Sequence, residues 1–254
     1  MAQLNGSSKD VEAWTPLQWF RMKPGQYLGD PELETDTVLT LALVTYFLVV
    51  VFVFRVKTEK QKAWILTALS ASSSFVFFFF NMYFAGVQNL PVDVSILKDT
   101  PFSRFSSRYF RVTLLVDLLL GVVFYPNQLN LLTSWFHHLA YFFLMNWAIK
   151  EQVTLCFSLF LVEELPTFLL ALGSISKNWR NDYFFGASFF FLRIFYHTIH
   201  FCTIFFLWSR DSQGKIDVIR LNMVLTLSLH LYWFWGWIKQ QRRKFAPLKM
   251  QKPE

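Results

Sequence analysis

Residues 183–208 read YFFGASFFFLRIFYHTIHFCTIFFLW. The run holds one formal charge, Arg193, and two histidines, His197 and His200, in an otherwise apolar stretch. About 20 mostly apolar residues in helical form cross the hydrocarbon core of a bilayer. The stretch therefore reads as a transmembrane helix. Its three polar residues follow the spacing i, i+4, i+7, which places them on one face of that helix.

Working outward, six more segments have the same character: residues 37–54, 64–84, 110–125, 131–149, 153–173 and 218–238. The sequence thus predicts an all-α, polytopic transmembrane helical bundle of about seven spans. The connectors 126–130 and 150–152 are tight, so the third, fourth and fifth segments should be antiparallel neighbours. The third is short and contains Asp117, which suits a helix buried among others. The longest loop, 85–109, holds Pro91, Pro101 and a polar run from Ser103 to Arg108. Three regions follow: a polar segment over 1–36, a transmembrane domain over 37–240 and a basic tail over 241–254.

Composition agrees. Of 254 residues, 54% are hydrophobic and 16% charged, against about 25% charged in ordinary soluble domains. Phe occurs 31 times, more than a soluble core requires. Of 24 Lys and Arg, Arg193 lies in the middle of an apolar run, Arg111 and Arg220 lie at the edges of two others, and the rest read as loop and tail residues facing lipid headgroups. No basic stripe interleaved with exposed aromatics suggests nucleic acid as a partner. Cys156 and Cys202 both lie in apolar runs, where membrane-buried thiols are expected rather than a disulfide framework.

Residues 1–36 contain no apolar signal core, so the first span is expected to serve as an uncleaved targeting signal. Arg55, Lys57, Lys60 and Lys62 flank the first span, and Lys239, Arg242, Arg243 and Lys244 flank the last. An odd number of spans puts both groups on one side, and the positive-inside rule assigns that side to the cytoplasm.

All five histidines lie in the apolar runs: His137, His138, His197, His200 and His230. So do Asp117, Glu163, Glu164 and Arg193. Each ionisable group at bilayer depth costs about 2.5–3.5 kcal/mol on insertion scales. These groups are therefore expected to converge on an interior cavity and satisfy one another. Pro166 should free the carbonyl near Val162 and kink the fifth span beside Glu163 and Glu164. Glu164 with Arg193 is most simply a buried ion pair. His137 and His138 point about 100° apart around a helix, so one should face the cavity and the other a neighbouring helix. By register, His138 shares a mixed stripe with Ser134, Tyr141 and Met145, and is the better ligand-facing candidate. Trp208, Trp233, Trp235 and Trp237 read as an interfacial belt.

Phosphate-binding loops, nucleophile elbows and the His-Glu-x-x-His zinc motif are absent. The histidines are too few, and spaced wrongly, for a desaturase-type di-metal centre. No metal or resident cofactor is expected.

The order Asp117-Leu118, His137-His138, Glu164-Leu165-x-Thr167, Arg193, and His230 near Trp233 resembles the TLC-domain family over roughly residues 37–240. That family contains the ceramide synthases, the translocating-chain-associating membrane protein and small lipid-homeostasis proteins. The resemblance implies the endoplasmic reticulum or a related membrane, membrane lipids as partners, and acyl-CoA as a substrate. It implies catalytic roles for His137, His138 and Asp117, and ligand contacts for Glu164, Arg193, His197, His200 and His230. The His-Asp-x-x-Asp element of ceramide synthases is missing, and residues 161–167 read LVEELPT instead. Three readings stay open: N-acyl transfer from acyl-CoA to a long-chain amine, non-catalytic lipid binding that regulates membrane composition, and a translocation-associated chaperone.

Overall fold

Helix α1 (Pro31–Val53) is the first described element. The computed structural model describes residues 31–87, 96–208 and 214–245. Most of the polar segment read over 1–36, Pro91, and the tail beyond residue 245 lie outside the described residues. Packing is described for the unit Leu39–Glu254.

A short helix α2 (Glu59–Ala63) leads through Trp64 into α3 (Ile65–Ala85). Helix α4 (Pro101–Phe124) starts well before residue 110, the expected edge of the third span. The cause is local: Thr100 and Ser103 exchange a reciprocal capping box, and Pro101 occupies the first turn, where a missing N–H costs nothing. What read as a polar loop run is thus a helical turn. Arg104 and Arg108 belong to a helix rather than to a loop. Arg111 donates to Asn146 Oδ1 at 2.7 Å, Arg104 pairs with Asp99 at 2.7 Å, and Arg108 is buried.

Helix α5 opens with a π-helical segment, Leu131–Phe136, and runs on as His137–Lys150. Helix α6 (Thr154–Ile175) tightens to 3-10 geometry over Leu159–Glu164 before resuming as an α-helix at Leu165. Here Pro166 does not leave a free carbonyl at Val162, because the Leu165 N–H bonds it in the 3-10 register. Helix α7 (Asp182–Leu207) contains two π segments, Phe189–Tyr196 and Thr203–Leu207. Helix α8 (Lys215–Phe245) is the last described element. No strand occurs among the described residues.

Four helical stretches are long and apolar enough to cross a membrane: Leu33–Val53, Glu59–Ala85, Thr154–Ile175 and Asp182–Leu207. Helix α3 packs against α4 on one side and α6 on the other, and α4 packs against α5. One buried cluster joins Leu43 and Phe47 of α1 to Leu66, Val112 and Val116. Another joins Leu155 and Leu159 to Ile204 and Met223. In a bilayer, lipid tails are as apolar as Leu, so such clusters hold helices together by close packing rather than by water exclusion.

Polar contacts tie the helix ends together. At one end Gln61 Nε2 donates to the Ile175 carbonyl at 2.9 Å, Asn127 bonds Glu59, and Lys244 pairs with Asp182. Arg55, Lys57, Lys239 and Arg242 belong to the same end. At the other end Lys215 donates to the Glu151 carbonyl, and Thr154 donates to Asp99.

A close approach of α7 and α8 sets a prediction. A Cβ built on Gly186 of α7 would lie 2.1 Å from Trp237 Cζ2 of α8. Gly186→Ala should therefore cost about 1–3 kcal/mol by overpacking, read as a lower thermal unfolding midpoint in detergent. Gly236→Ala, whose Cβ meets nothing within 4 Å, should be neutral or stabilising by up to about 1 kcal/mol. Equal behaviour of the two variants would contradict the packing argument.

Candidate functional site

The site begins where α4 ends. Pro126 stops the helix, and Tyr125 turns its buried ring back toward the preceding turns. Gly121 permits this, since a Cβ there would stand 2.7 Å from Leu129 and 2.9 Å from the Tyr125 ring. Tyr125 Oη then donates to the Asp117 carboxylate and lies within the same distance of the Asp117 carbonyl, each at 2.8 Å. The carboxylate is fixed by a tyrosine eight residues later.

Across from it stands α5. Asn130 caps the helix by accepting from Leu132 and Thr133 N–H groups. The π segment that follows delivers His137 and His138 to the bundle interior. Such wide turns often occur at functional positions, because the extra residue redirects side chains. His138 Nδ1 lies 3.8 Å from Asp117 Oδ2, one small side-chain adjustment from a hydrogen bond. The His137 ring packs against Tyr141 at 4.8 Å and Trp233 at 6.0 Å between centroids. Neither Nδ1 has a hydrogen-bond partner.

Helix α6 supplies adjacent carboxylates that diverge. Glu164 faces the same interior space as the histidines. Arg193 of α7 meets it: Nη2 reaches Glu164 Oε1 at 3.3 Å and Thr167 Oγ1 at 2.6 Å, and Nε donates to the Glu163 carbonyl at 2.8 Å. Its guanidinium also lies 5.4 Å from the Phe189 ring centroid.

Asp117, His137, His138, Glu164 and Arg193 all line one cavity of about 580 Å³. Its walls include Phe110, Leu114, Thr167, Trp233 and Trp237, and its lining runs out to Gln128 and Gln240 at the basic end of the bundle. Both histidines reach the cavity, rather than one facing it and one facing away. Of the tryptophans read as a belt, Trp233 and Trp237 instead line this cavity and Trp208 is buried in a core cluster. Trp235 faces outward beside Lys239 and Arg242.

The remaining polar residues do not join the cavity lining. Glu163, His197 and His230 form a separate, closed network. His197 Nδ1 lies 2.8 Å from Glu163 Oε1, and its Nε2 lies 3.3 Å from the Met223 carbonyl. His230 Nδ1 lies 3.0 Å from the Arg193 carbonyl and 3.8 Å from Glu163 Oε2. His200 belongs to neither group. It is buried beside Tyr196 and Phe160, with both ring nitrogens unpartnered. His197, His200 and His230, expected as ligand contacts, are absent from the lining of this cavity: His197 and His230 close on Glu163, and His200 packs beside Tyr196 and Phe160.

Glu163, His197 and His230 bring a carboxylate and two imidazoles within 4.8 Å of one another, a donor set that suits a divalent ion. Their present pairing supplies another account. A carbonyl only accepts hydrogen bonds, so His197 Nε2 carries its hydrogen toward Met223. With its other nitrogen 2.8 Å from a Glu163 carboxylate oxygen, His197 ties α7 to α6, as Arg193 does through Glu164 and Thr167.

Sequence reasoning did not single out Tyr125 or the Tyr141–Thr226 hydroxyl pair at 3.0 Å. A tyrosine placed directly before the proline that ends a helix is the signal that would have flagged Tyr125. Cys156 and Cys202 are both free thiols. No family model, no curated protein and no solved structure matches the chain.

The chemistry on offer is specific. A carboxylate behind one imidazole nitrogen holds the hydrogen there and presents the opposite nitrogen, Nε2, as a base. The His138–Asp117 pair approaches that layout at 3.8 Å, in a cavity whose walls are partly apolar and aromatic.

Proposed function

We propose that this chain is a seven-span membrane protein of the TLC-domain type that moves an acyl group between lipids, with His138 as general base and Asp117 as the residue that sets its tautomer. The observation that carries the reading is the Asp117–His138 pair on the wall of an interior cavity. In this reading the donor is an acyl thioester such as acyl-CoA and the acceptor a long-chain amine. The amine nitrogen bonds to the acyl carbon, the carbon–sulfur bond breaks, and His138 Nε2 carries the proton from nitrogen to the departing thiolate. The polar order Asp117, His137-His138, Glu164, Arg193 and His230 supports the family, and with it an endoplasmic-reticulum membrane.

Seven crossings add α4, α5 and α8 to the four most apolar helices. Support comes from their outer faces, where Leu119, Val123, Phe136, Phe143, Leu221 and Leu225 are all exposed, as lipid-facing residues would be. The basic end, toward which the cavity lining runs, is then cytoplasmic. Glycosylation acceptors placed within residues 1–30 should be modified and acceptors after Lys249 should not. The reverse pattern would overturn the orientation.

A second reading, a lipid holder without chemistry, draws on the 3.8 Å gap that leaves the pair just short of a hydrogen bond. Cellular lipid profiles with and without the protein, repeated with His138→Ala, decide between them. Transfer predicts that His138→Ala matches the deletion profile at unchanged protein abundance. A wild-type profile from a normally abundant variant would remove His138 from any role in chemistry or ligand binding.

A further inference from the structure

A second cavity, of about 520 Å³, lies apart from the histidines, between the end of α1, the start of α3 and the last residue of α6. Its walls are Tyr46, Val50, Phe54, Ile65, Ala68 and Ile175. Its rim is basic and polar: Arg55, Lys57, Thr58 and Gln61. The volume falls in the range of small-ligand sites. Apolar walls below and two exposed cations above match an amphiphile carrying an anionic head and a hydrocarbon tail. Phe52 and Val53 beside it are exposed outward, so the groove lies on the face of the bundle that meets lipid.

The backbone at the rim adds an independent observation. Val56 N–H bonds the Val51 carbonyl, five residues back, at 2.9 Å, and Arg55 has φ of +51°. This is the Schellman helix end, whose left-handed position is usually glycine. Arg55 occupies it at a steric cost that glycine would not incur. Strain kept at one residue points toward a use for its side chain.

We propose that this groove is a binding site for one anionic phospholipid, with its phosphate held by Arg55 and Lys57 and an acyl chain lying along Val50, Ile65 and Ala68. It is separate from the acyl-transfer cavity and does not rest on that reading. The two cations sit at the helix end, where a headgroup phosphate lies. Each basic residue near an anionic headgroup contributes enough that two should give about a thirtyfold preference for anionic over zwitterionic lipid.

The test uses the full chain in detergent, titrated with phosphatidylglycerol and phosphatidylcholine of identical tails, with bound lipid read by native mass spectrometry. Wild type should favour phosphatidylglycerol about thirtyfold. Arg55→Gly together with Lys57→Gln should abolish the preference. Because Arg55→Gly relieves the left-handed strain, it should leave the unfolding temperature equal or higher, which separates lost binding from lost fold. Ala68→Phe should fill the groove and reduce binding of both lipids. Lys60→Gln with Lys62→Gln, equal in charge change but absent from the rim, should retain the preference. The proposal is overturned if the preference survives Arg55→Gly/Lys57→Gln, or if the Lys60/Lys62 pair abolishes it equally. Competition by inorganic phosphate as effective as that by lipid would show a free-phosphate site and overturn it as well.

Discussion

Under the proposed acyl-transfer reading, Asp117→Asn should lower product formation by about 10²–10⁴-fold while leaving the protein folded. The amide keeps an oxygen for Tyr125 Oη, which now donates to Asp117 Oδ1 at 2.8 Å, so the turn at Tyr125 and Pro126 is retained. The change falls on the other atom. Oδ2, 3.8 Å from His138 Nδ1, becomes an NH₂ group in the rotamer that keeps Tyr125 satisfied. A donor facing Nδ1 makes that nitrogen an acceptor and moves the ring hydrogen to Nε2. A protonated Nε2 cannot take a proton from the amine. The measurement is product formation in liposomes holding equal amounts of wild type and variant, supplied with an acyl thioester and a long-chain amine. Asp117→Ala is a poorer probe, because it also strips Tyr125 of its acceptor. A wild-type rate from a folded Asp117→Asn protein would remove the Asp117–His138 pair from the mechanism.

The helical architecture and much of the cavity's polar lining were legible in the sequence for one physical reason. Ionisable side chains inside apolar runs are expensive, so each must find a partner or a cavity. That argument locates Asp117, His138, Glu164 and Arg193 without coordinates. It cannot say which groups share a compartment. Glu163 and Glu164 are neighbours in sequence, yet one closes on His197 and the other lines the cavity. Neighbours point about 100–120° apart in either α or 3-10 geometry, so the two must diverge, but which one meets which partner depends on how the helices pack. His200 fails in the same way. Its i+7 relation to Arg193 places both on one face only if the helix is regular, and the π segment Phe189–Tyr196 precedes it. The early start of α4 was legible after all, in Thr100-Pro101-x-Ser103, had the capping signal been weighed above the polarity of the run. Tyr125 was hidden because the chain fold-back that aims it depends on Gly121, a contact between residues rather than a pattern along them.

Arg193→Ala should destabilise the protein by about 3–5 kcal/mol, the usual cost of removing one member of a buried ion pair. Three partners are lost together: the Glu163 carbonyl, the Glu164 carboxylate and the Thr167 hydroxyl. The Glu164 side chain is only 22% exposed, so water replaces the guanidinium poorly. The His230 bond is kept, because it is made to the backbone carbonyl of residue 193. A cycle separates charge from packing. Arg193→Met keeps most of the apolar stem, and Glu164→Gln removes the charge left behind. If uncompensated charge dominates, the double variant should be more stable than Arg193→Met alone. If the hydrogen bonds to the Glu163 carbonyl and Thr167 dominate, adding Glu164→Gln should bring no recovery. The measurement is the unfolding midpoint in detergent by intrinsic tryptophan fluorescence, since Trp233 and Trp237 line the affected cavity. An Arg193→Ala protein as stable as wild type would mean that the guanidinium is not what holds α6 and α7 together.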